Sequence, residues 1–383
     1  MTPAAECRHF PAELECQLAE WIQPEPHTKG TIDRAGEFLA GWWGEPLPRP
    51  TVFERDDDWR GRLASAWGIA QNWRASHAYS LNAFTVNLKA RARRVENKPL
   101  VAQRLKRISS VLKKLVRFEK MPLSQMQDLG GCRAILSDLA VMNELAAMYR
   151  GDQGDQGALF ESESHFKCTD YVVSPKPDGY RGIHLVGRFV ARATNREPWN
   201  GQRIEIQLRS KLQHTFATTV ETVTTFTREP LKFGGGNAQW KRFFALTGSA
   251  FAIREGTTLV PNTPTTEEEI IKELRELTKE LRVRHRLRGW RNALKTLRQR
   301  NVKEFKWLLL VLNIDASTIK VTGFADRQKA ATAVAELEQR GDPNLDAVLV
   351  WVQSVLDLRR AYPNYYADTH EFVKALDVAV NQG

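Results

Sequence analysis

Apolar positions along the chain change their period several times, and each change marks an element. Between Trp59 and about Arg94 they recur at helical spacing (Leu63, Ala66, Trp67, Ala70, Trp73), which predicts one or two helices. The basic stretch VAQRLKRISSVLKKLVRF keeps Ile108, Val111, Leu112 and Leu115 as an inner face. CRAILS reads as a short strand, DLAVMNELAAMYR as an amphipathic helix, and GDQGDQGALFES as a polar loop. Three strands are expected next, around His165–Val173, Gly182–Ala193 and Arg203–Ser210. The turn-forming segment TNREPWNG makes the last two an antiparallel pair, and KLQHTFATTVETVTTF reads as a helix covering the sheet.

Beyond that helix, FGGGN at Phe233–Asn237 loosens the chain, and VPNTPTT is a linker ending where a helix starts. Thr266 with Glu269 fits a capping box, and a long charged helix follows. WLLLVLNI, TIKVTGF, RQKAATAVAELEQR and LDAVLVWV then repeat the strand and helix periods in the order ββαβ, a small α+β module. The expected fold class is α+β: a mixed sheet flanked by helices, then a long helix and the small module. The expected segments are an irregular or helical extension (1–58), a central domain (59–232), a linker with a long basic helix (233–306) and the C-terminal module (307–383).

Composition changes this picture in one respect. The 383 residues, 42% hydrophobic and 26% charged, suit an ordinary globular enzyme, but a net charge of +11 favours polyanionic partners such as nucleotides or RNA. The four cysteines (Cys7, Cys16, Cys132, Cys168) lack metal-site spacing and read as free thiols. No apolar run approaches a membrane span, and the first residues carry acids where a secretory signal has a basic segment. The protein is therefore expected to be cytoplasmic, with no membrane partner.

Candidate chemistry lies between Arg104 and Arg209. In R-x-K-x-x-x-S-x-x-x-K, a helix places Lys106, Ser110 and Lys114 four apart along one face, suited to a run of phosphates or equally to a solvated basic surface. In MQDLGGCRAIL, Asp128 precedes a Leu-Gly-Gly turn and Arg133 lies in the strand beyond. A carboxylate there suits Mg²⁺ with phosphate oxygens, or simply a turn contact. In RIEIQLRS, strand alternation puts Glu205, Gln207 and Arg209 on one face and Ile204, Ile206 and Leu208 on the other. In YVVSPKPDGYRGIHLV, Lys176, Tyr180, Arg181 and His184 supply two cations, a flat ring and a switchable donor at a strand interruption.

Taken in order, these motifs resemble the synthetase domain of the RelA/SpoT alarmone synthetases, over roughly Trp59–Thr227. The resemblance implies a nucleotidyltransferase-like sheet and an Mg²⁺-dependent pyrophosphokinase. Such an enzyme moves the βγ-diphosphate of ATP to the 3′-hydroxyl of a guanine nucleotide and releases AMP. It implies that Arg104 and Arg133 sandwich the adenine and that Lys106, Ser110 and Lys114 hold the ATP phosphates. Asp128 then binds Mg²⁺, and Glu205 shares the metal or takes the hydroxyl proton. Tyr180 stacks on the acceptor base, with Lys176, Asp178, His184, Gln207 and Arg209 around the acceptor.

Two departures sharpen this. Family members usually carry Asn where Asp178 stands and Ser where Gly182 stands, so acceptor identity is the open variable. The chain has no adjacent His-Asp pair, so no alarmone hydrolase domain is expected. It resembles the small or toxin-type synthetases. The alternative reading is a toxin that pyrophosphorylates the 3′ CCA end of tRNA, restrained by its own C-terminal module, where Tyr362 and Tyr365 sit three apart, or by a separate antitoxin. A homo-oligomer is a further expected partner state. The Arg- and Lys-rich run from Lys272 to Lys306 fits either RNA contact or a solvated helix.

Overall fold

In a computed structural model, residues 21–44, 56–150, 166–227, 238–299, 305–313, 318–326, 345–351 and 365–381 are described, with short helical pieces between 329 and 337. Helix α1 (Lys29–Gly44) and the long α2 (Asp57–Val95) open the fold. Asp56 caps α2 by accepting from the Trp59 N–H, Asp57 and Asp58 sit in its first turn, and Arg93 and Arg94 in its last. This charge order complements the helix dipole.

The first sheet runs β1-β2-β5-β4-β3, with β1 Leu100–Leu105, β2 Gly130–Leu136, β3 Lys167–Asp170, β4 Ile183–Arg188 and β5 Arg203–Ser210. β2 and β5 are parallel, and every other pairing is antiparallel, so the sheet is mixed as expected. The strand expected over Gly182–Ala193 stops at Arg188, because the chain turns back so that Phe189 and Gln202 hydrogen-bond through their backbones before β5.

Alternation gives the sheet two unlike faces. Cys132, Ala134, Leu136, Ile183, Leu185, Ile204, Ile206 and Leu208 are buried with Leu81, Phe84 and Leu88 of α2 and with α4 (Leu139–Arg150). The opposite face carries Arg133, His184, Glu205, Gln207 and Arg209. Hydrogen bonds from Ser80 to Gln202 (2.7 Å) and from Gln202 to Ser76 (2.9 Å) tie α2 to the residue before β5. Helix α3 (Ile108–Arg117) buries Val111, Leu112 and Leu115 with Leu39 of α1 and Met126, a second core below β1.

A third core joins the described helices after β5. Helices α5 (Lys211–Thr227), α6 (Ala238–Glu255), α7 (Glu267–Glu280), α8 (Val283–Gln299) and α9 (Tyr365–Asn381) share it with Leu308 and Leu310 of a second sheet. That sheet, ordered β7-β6-β8 and antiparallel, is built from β6 Trp307–Asn313, β7 Thr318–Phe324 and β8 Leu345–Trp351. Thr266 caps α7 through the Glu269 N–H, the capping box read from sequence. Among the described residues no helix is long and apolar enough to cross a membrane.

Candidate functional site

The polar face of the first sheet gathers the sequence-derived residues into two groups. The first surrounds Asp128, which enters β2. Lys106 Nζ lies 2.8 Å from one carboxylate oxygen of Asp128, and Lys114 Nζ lies 2.8 Å from the other. Burial pushes the Asp128 carboxyl up, but the two ammonium groups outweigh it and hold the carboxyl below its ordinary range. The geometry differs from a helical file of Lys106, Ser110 and Lys114. Helix α3 starts at Ile108, so only Ser110 and Lys114 are helical, and Lys106 reaches the same carboxylate from the β1–α3 link. Lys106 is held there by its backbone N–H, which donates to the Leu129 carbonyl at 2.7 Å.

Gly130 and Gly131 were expected to form a turn and instead begin β2. A Cβ on Gly130 would come 2.7 Å from Ile204 Cδ1, so this position is glycine because β5 packs against it. In register, Arg104 faces Gly131 and Arg133 faces Gln207, which puts both guanidinium-bearing positions on the polar face beside Glu205.

The second group is built on β4 and β5. Arg209 donates through Nε to the Tyr180 hydroxyl (3.2 Å) and through Nη2 to Gln207 Oε1 (2.9 Å). Gln207 Nε2 donates to Glu205 Oε2 at 2.7 Å. His184 joins Tyr180 Oη (2.6 Å) through Nε2 and Glu205 Oε1 (2.9 Å) through Nδ1. Because a carboxylate only accepts, His184 donates to Glu205 through Nδ1–H, and its Nε2 shares a hydrogen bond with the Tyr180 hydroxyl. Two hydrogen-bonded chains thus link one guanidinium to the two oxygens of Glu205. Burial pushes Glu205 up, but the His184 and Gln207 hydrogen bonds and the His184 charge outweigh it, so its net shift is downward.

The loop before β4 supplies an aromatic corner. Tyr171 lies edge-on to Tyr180 (5.8 Å between ring centres) and to His184 (5.1 Å). Lys176 Nζ sits 4.3 Å from the Tyr171 ring centre and 5.1 Å from that of Tyr180, and Arg209 Cζ lies 5.2 Å from the Tyr180 ring centre. Two cations therefore already rest over the ring expected to hold a base. Asp178 closes the turn by accepting from the Tyr180 N–H at 3.0 Å. Gly182 has φ +149, and a Cβ there would lie 3.4 Å from the Tyr180 hydroxyl. The closer approach is 3.2 Å to the Leu208 carbonyl oxygen, and the positive φ by itself favours glycine here.

Magnesium needs only one or two protein carboxylates when phosphate oxygens complete its shell. The Asp128 charge is felt at Glu205, where it opposes ionisation, so the two carboxylates belong to one site. This donor set fits Mg²⁺ brought in with a polyphosphate. Among the described residues no group of three or more His, Cys, Asp and Glu side chains stands ready to hold a metal without such a ligand.

Sequence reasoning missed Tyr171 and the residues that anchor Arg181. Tyr171 had a usable signal, being one of two tyrosines flanking the Pro-Lys-Pro-Asp-Gly interruption. The anchor of Arg181 lies on α6, and nothing local announced it. Tyr362 lies outside the described residues. On the basic helix α8, Arg284 pairs with Asp377 of α9 at 2.5 Å, and Leu287 and Trp290 face the core.

Residues 103–228 match the family model described as the region found in RelA/SpoT proteins. No curated protein matches the chain. Among solved structures, small alarmone synthetase 1 of Bacillus subtilis is similar at 22% identity, covering 52% of this chain and 92% of that one, with a TM-score of 0.34. Small alarmone synthetase 2 of Bacillus subtilis is similar at 22% identity over 44% of this chain and 80% of that one, with a TM-score of 0.32. A GTP pyrophosphokinase family protein from Streptococcus pneumoniae is 18% identical over 52% of this chain and 90% of that one, with a TM-score of 0.35.

Proposed function

We propose, from the match of residues 103–228 to the region found in RelA/SpoT proteins, that the protein is an ATP-dependent pyrophosphokinase. It transfers the βγ-diphosphate of ATP to the ribose 3′-hydroxyl of a guanine nucleotide. The observation that carries the proposal is the pair of ionised carboxylates on one sheet face. Asp128 is clasped by two lysines, and Glu205 accepts from His184 and Gln207.

The 3′-oxygen attacks the β-phosphorus, the bond between that phosphorus and the oxygen bridging to the α-phosphate breaks, and the electron pair leaves on AMP. Glu205 accepts the hydroxyl proton. Its two hydrogen-bonded oxygens keep further lone pairs for that contact, and His184 and Gln207 fix its orientation. Lys106 and Lys114 neutralise charge on the transferring phosphoryl groups, and Ser110, one turn before Lys114 on α3, donates to them. Mg²⁺, when bound by Asp128 and Glu205, supplies further charge neutralisation on the β- and γ-phosphates. Arg104 and Arg133 bracket the adenine. Tyr180 stacks on the acceptor base, which takes the place of one of the two cations over its ring. Lys176, so released, meets acceptor phosphates, while Arg209 keeps its bonds to Tyr180 and Gln207.

The test is incubation of the full chain with ATP labelled at the γ-phosphate, Mg²⁺, and in turn GDP, GTP or deacylated tRNA. Label is expected on the guanine nucleotide. Label on tRNA alone would overturn the acceptor assignment, and no label anywhere would overturn the activity. Glu205→Gln is expected to cut transfer by roughly a hundredfold or more while ATP affinity stays within about twofold of wild type.

A further inference from the structure

Arg181 stands between Tyr180 and Gly182 in the acceptor loop, yet its side chain is only 2% exposed and points away from the polar face into α6 and the segment that follows. Arg181 Nη1 donates to Glu255 Oε2 at 2.7 Å and to Thr257 Oγ1 at 3.0 Å. Glu255, the last residue of α6, is itself 10% exposed and uses both oxygens. Ser210, the last residue of β5, donates to its Oε1, and Gln213 Nε2 donates to Oε2 at 3.2 Å. One carboxylate therefore fastens the loop that carries Tyr180 to the end of the strand that carries Glu205, Gln207 and Arg209.

A second contact acts on the same loop. Gly179 has φ +87, and a Cβ there would meet the Phe244 carbonyl oxygen of α6 at 2.3 Å. A Cβ on Gly248 would in turn meet the Gly179 Cα at 2.7 Å. Backbone lies against backbone, so α6 sets the height of the loop over the sheet. Glu255, Thr257 and α6 all lie beyond the matched 103–228 region. The Lys106–Asp128–Lys114 group, by contrast, rests on β1, α3 and β2.

We propose that Glu255 is a positioning residue for the acceptor: through Arg181 and Ser210 it sets the spacing between Tyr180 and the Gln207–Arg209 edge, and so controls acceptor affinity without acting on ATP. This rests on the acceptor site assigned above. An ionised carboxylate buried with a guanidinium and two neutral donors has its hydrogen-bonding capacity largely used, so its effect on substrate is geometric.

The experiment is equilibrium titration of GDP and, separately, of a non-hydrolysable ATP analogue into the full chain, for wild type, Glu255→Gln and Thr257→Val, with melting temperatures recorded alongside. Glu255→Gln is expected to weaken GDP binding about tenfold and Thr257→Val about threefold, with the ATP analogue within about twofold in both. A purely structural role would weaken the two ligands together. Equal losses, or no loss of GDP affinity, would overturn the inference. If Glu255→Gln does not fold, Thr257→Val, which keeps the ion pair, decides by the same split. A wild-type protein that binds GDP but transfers no diphosphate overturns the activity and leaves the split to be read. One that binds no GDP overturns the inference along with its premise.

Discussion

Glu205 shows how much of a side chain's chemistry is set by its neighbours. Its carboxyl is held below the ordinary range because burial is outweighed by hydrogen bonds from His184 and Gln207. Gln207→Leu removes one of those donors, so the folded-state pKa of Glu205 rises and its ionised fraction at mildly acidic pH falls. The acid limb of the rate profile is expected to move towards neutrality, measured as relative kcat against pH. His77 gives a stability counterpart. It is fully buried on α2, and burial pulls its pKa from the ordinary 6.5 to about 4, against the raising effect of its bond to the Trp73 carbonyl. The unfolded chain binds the proton that the folded chain refuses. Stability is therefore complete above pH 6.5 and is lost as pH falls towards 4, by on the order of 3 kcal/mol. His77→Gln should flatten denaturant midpoints across that window, and an unchanged slope would count against this assignment.

Among the turns and helix contacts, two glycines separate strain from crowding. Gly179 and Gly201 have similar positive φ values, +87 and +81, but Gly201 has nothing within 4 Å of its missing Cβ while Gly179 faces the α6 backbone. Gly201→Ala should cost about 1 kcal/mol from conformation alone, and Gly179→Ala a further 1–3 kcal/mol, roughly, from displacing α6. Urea denaturation of the two variants checks the difference; equal costs would mean that α6 yields freely. The helix α3 motif is instructive in another way. Its four-residue spacing suggested a single helical file, yet Lys106 sits outside the helix and meets Lys114 at Asp128 all the same.

The described helices after β5 share one core with Leu308 and Leu310 of the second sheet. Phe226 of α5 stacks on Trp290 of α8 at 5.1 Å, and Phe251 of α6 meets Phe372 of α9 at 5.7 Å. Leu308, Leu310, Phe372, Leu376 and Val380 all belong to that core. Removal of residues 307–383 strips these side chains from α5, the helix continuous with β5. The truncated protein is expected to lose cooperative melting and aggregate, rather than to gain activity as release of an inhibitor would bring. A soluble truncation with raised transfer would reverse this view. Two arginines of the basic run are tied to the last helix: Arg275 donates to the Val380 carbonyl and Arg284 pairs with Asp377.

Local periodicity was enough to place β2, β5, α4, α5 and the α7 cap, and to put Glu205, Gln207 and Arg209 on one face, because strand alternation and capping depend only on neighbouring residues. The ordered motifs went further and pointed to the family whose model matches residues 103–228. Packing alone decided which groups meet. Asp128 receives Lys106 from 22 residues away, and Arg181 receives Glu255 from 74 residues away. No period links such pairs. Their meeting depends on how sheet and helices stack, and that is settled by the burial of surfaces rather than by any short run of sequence.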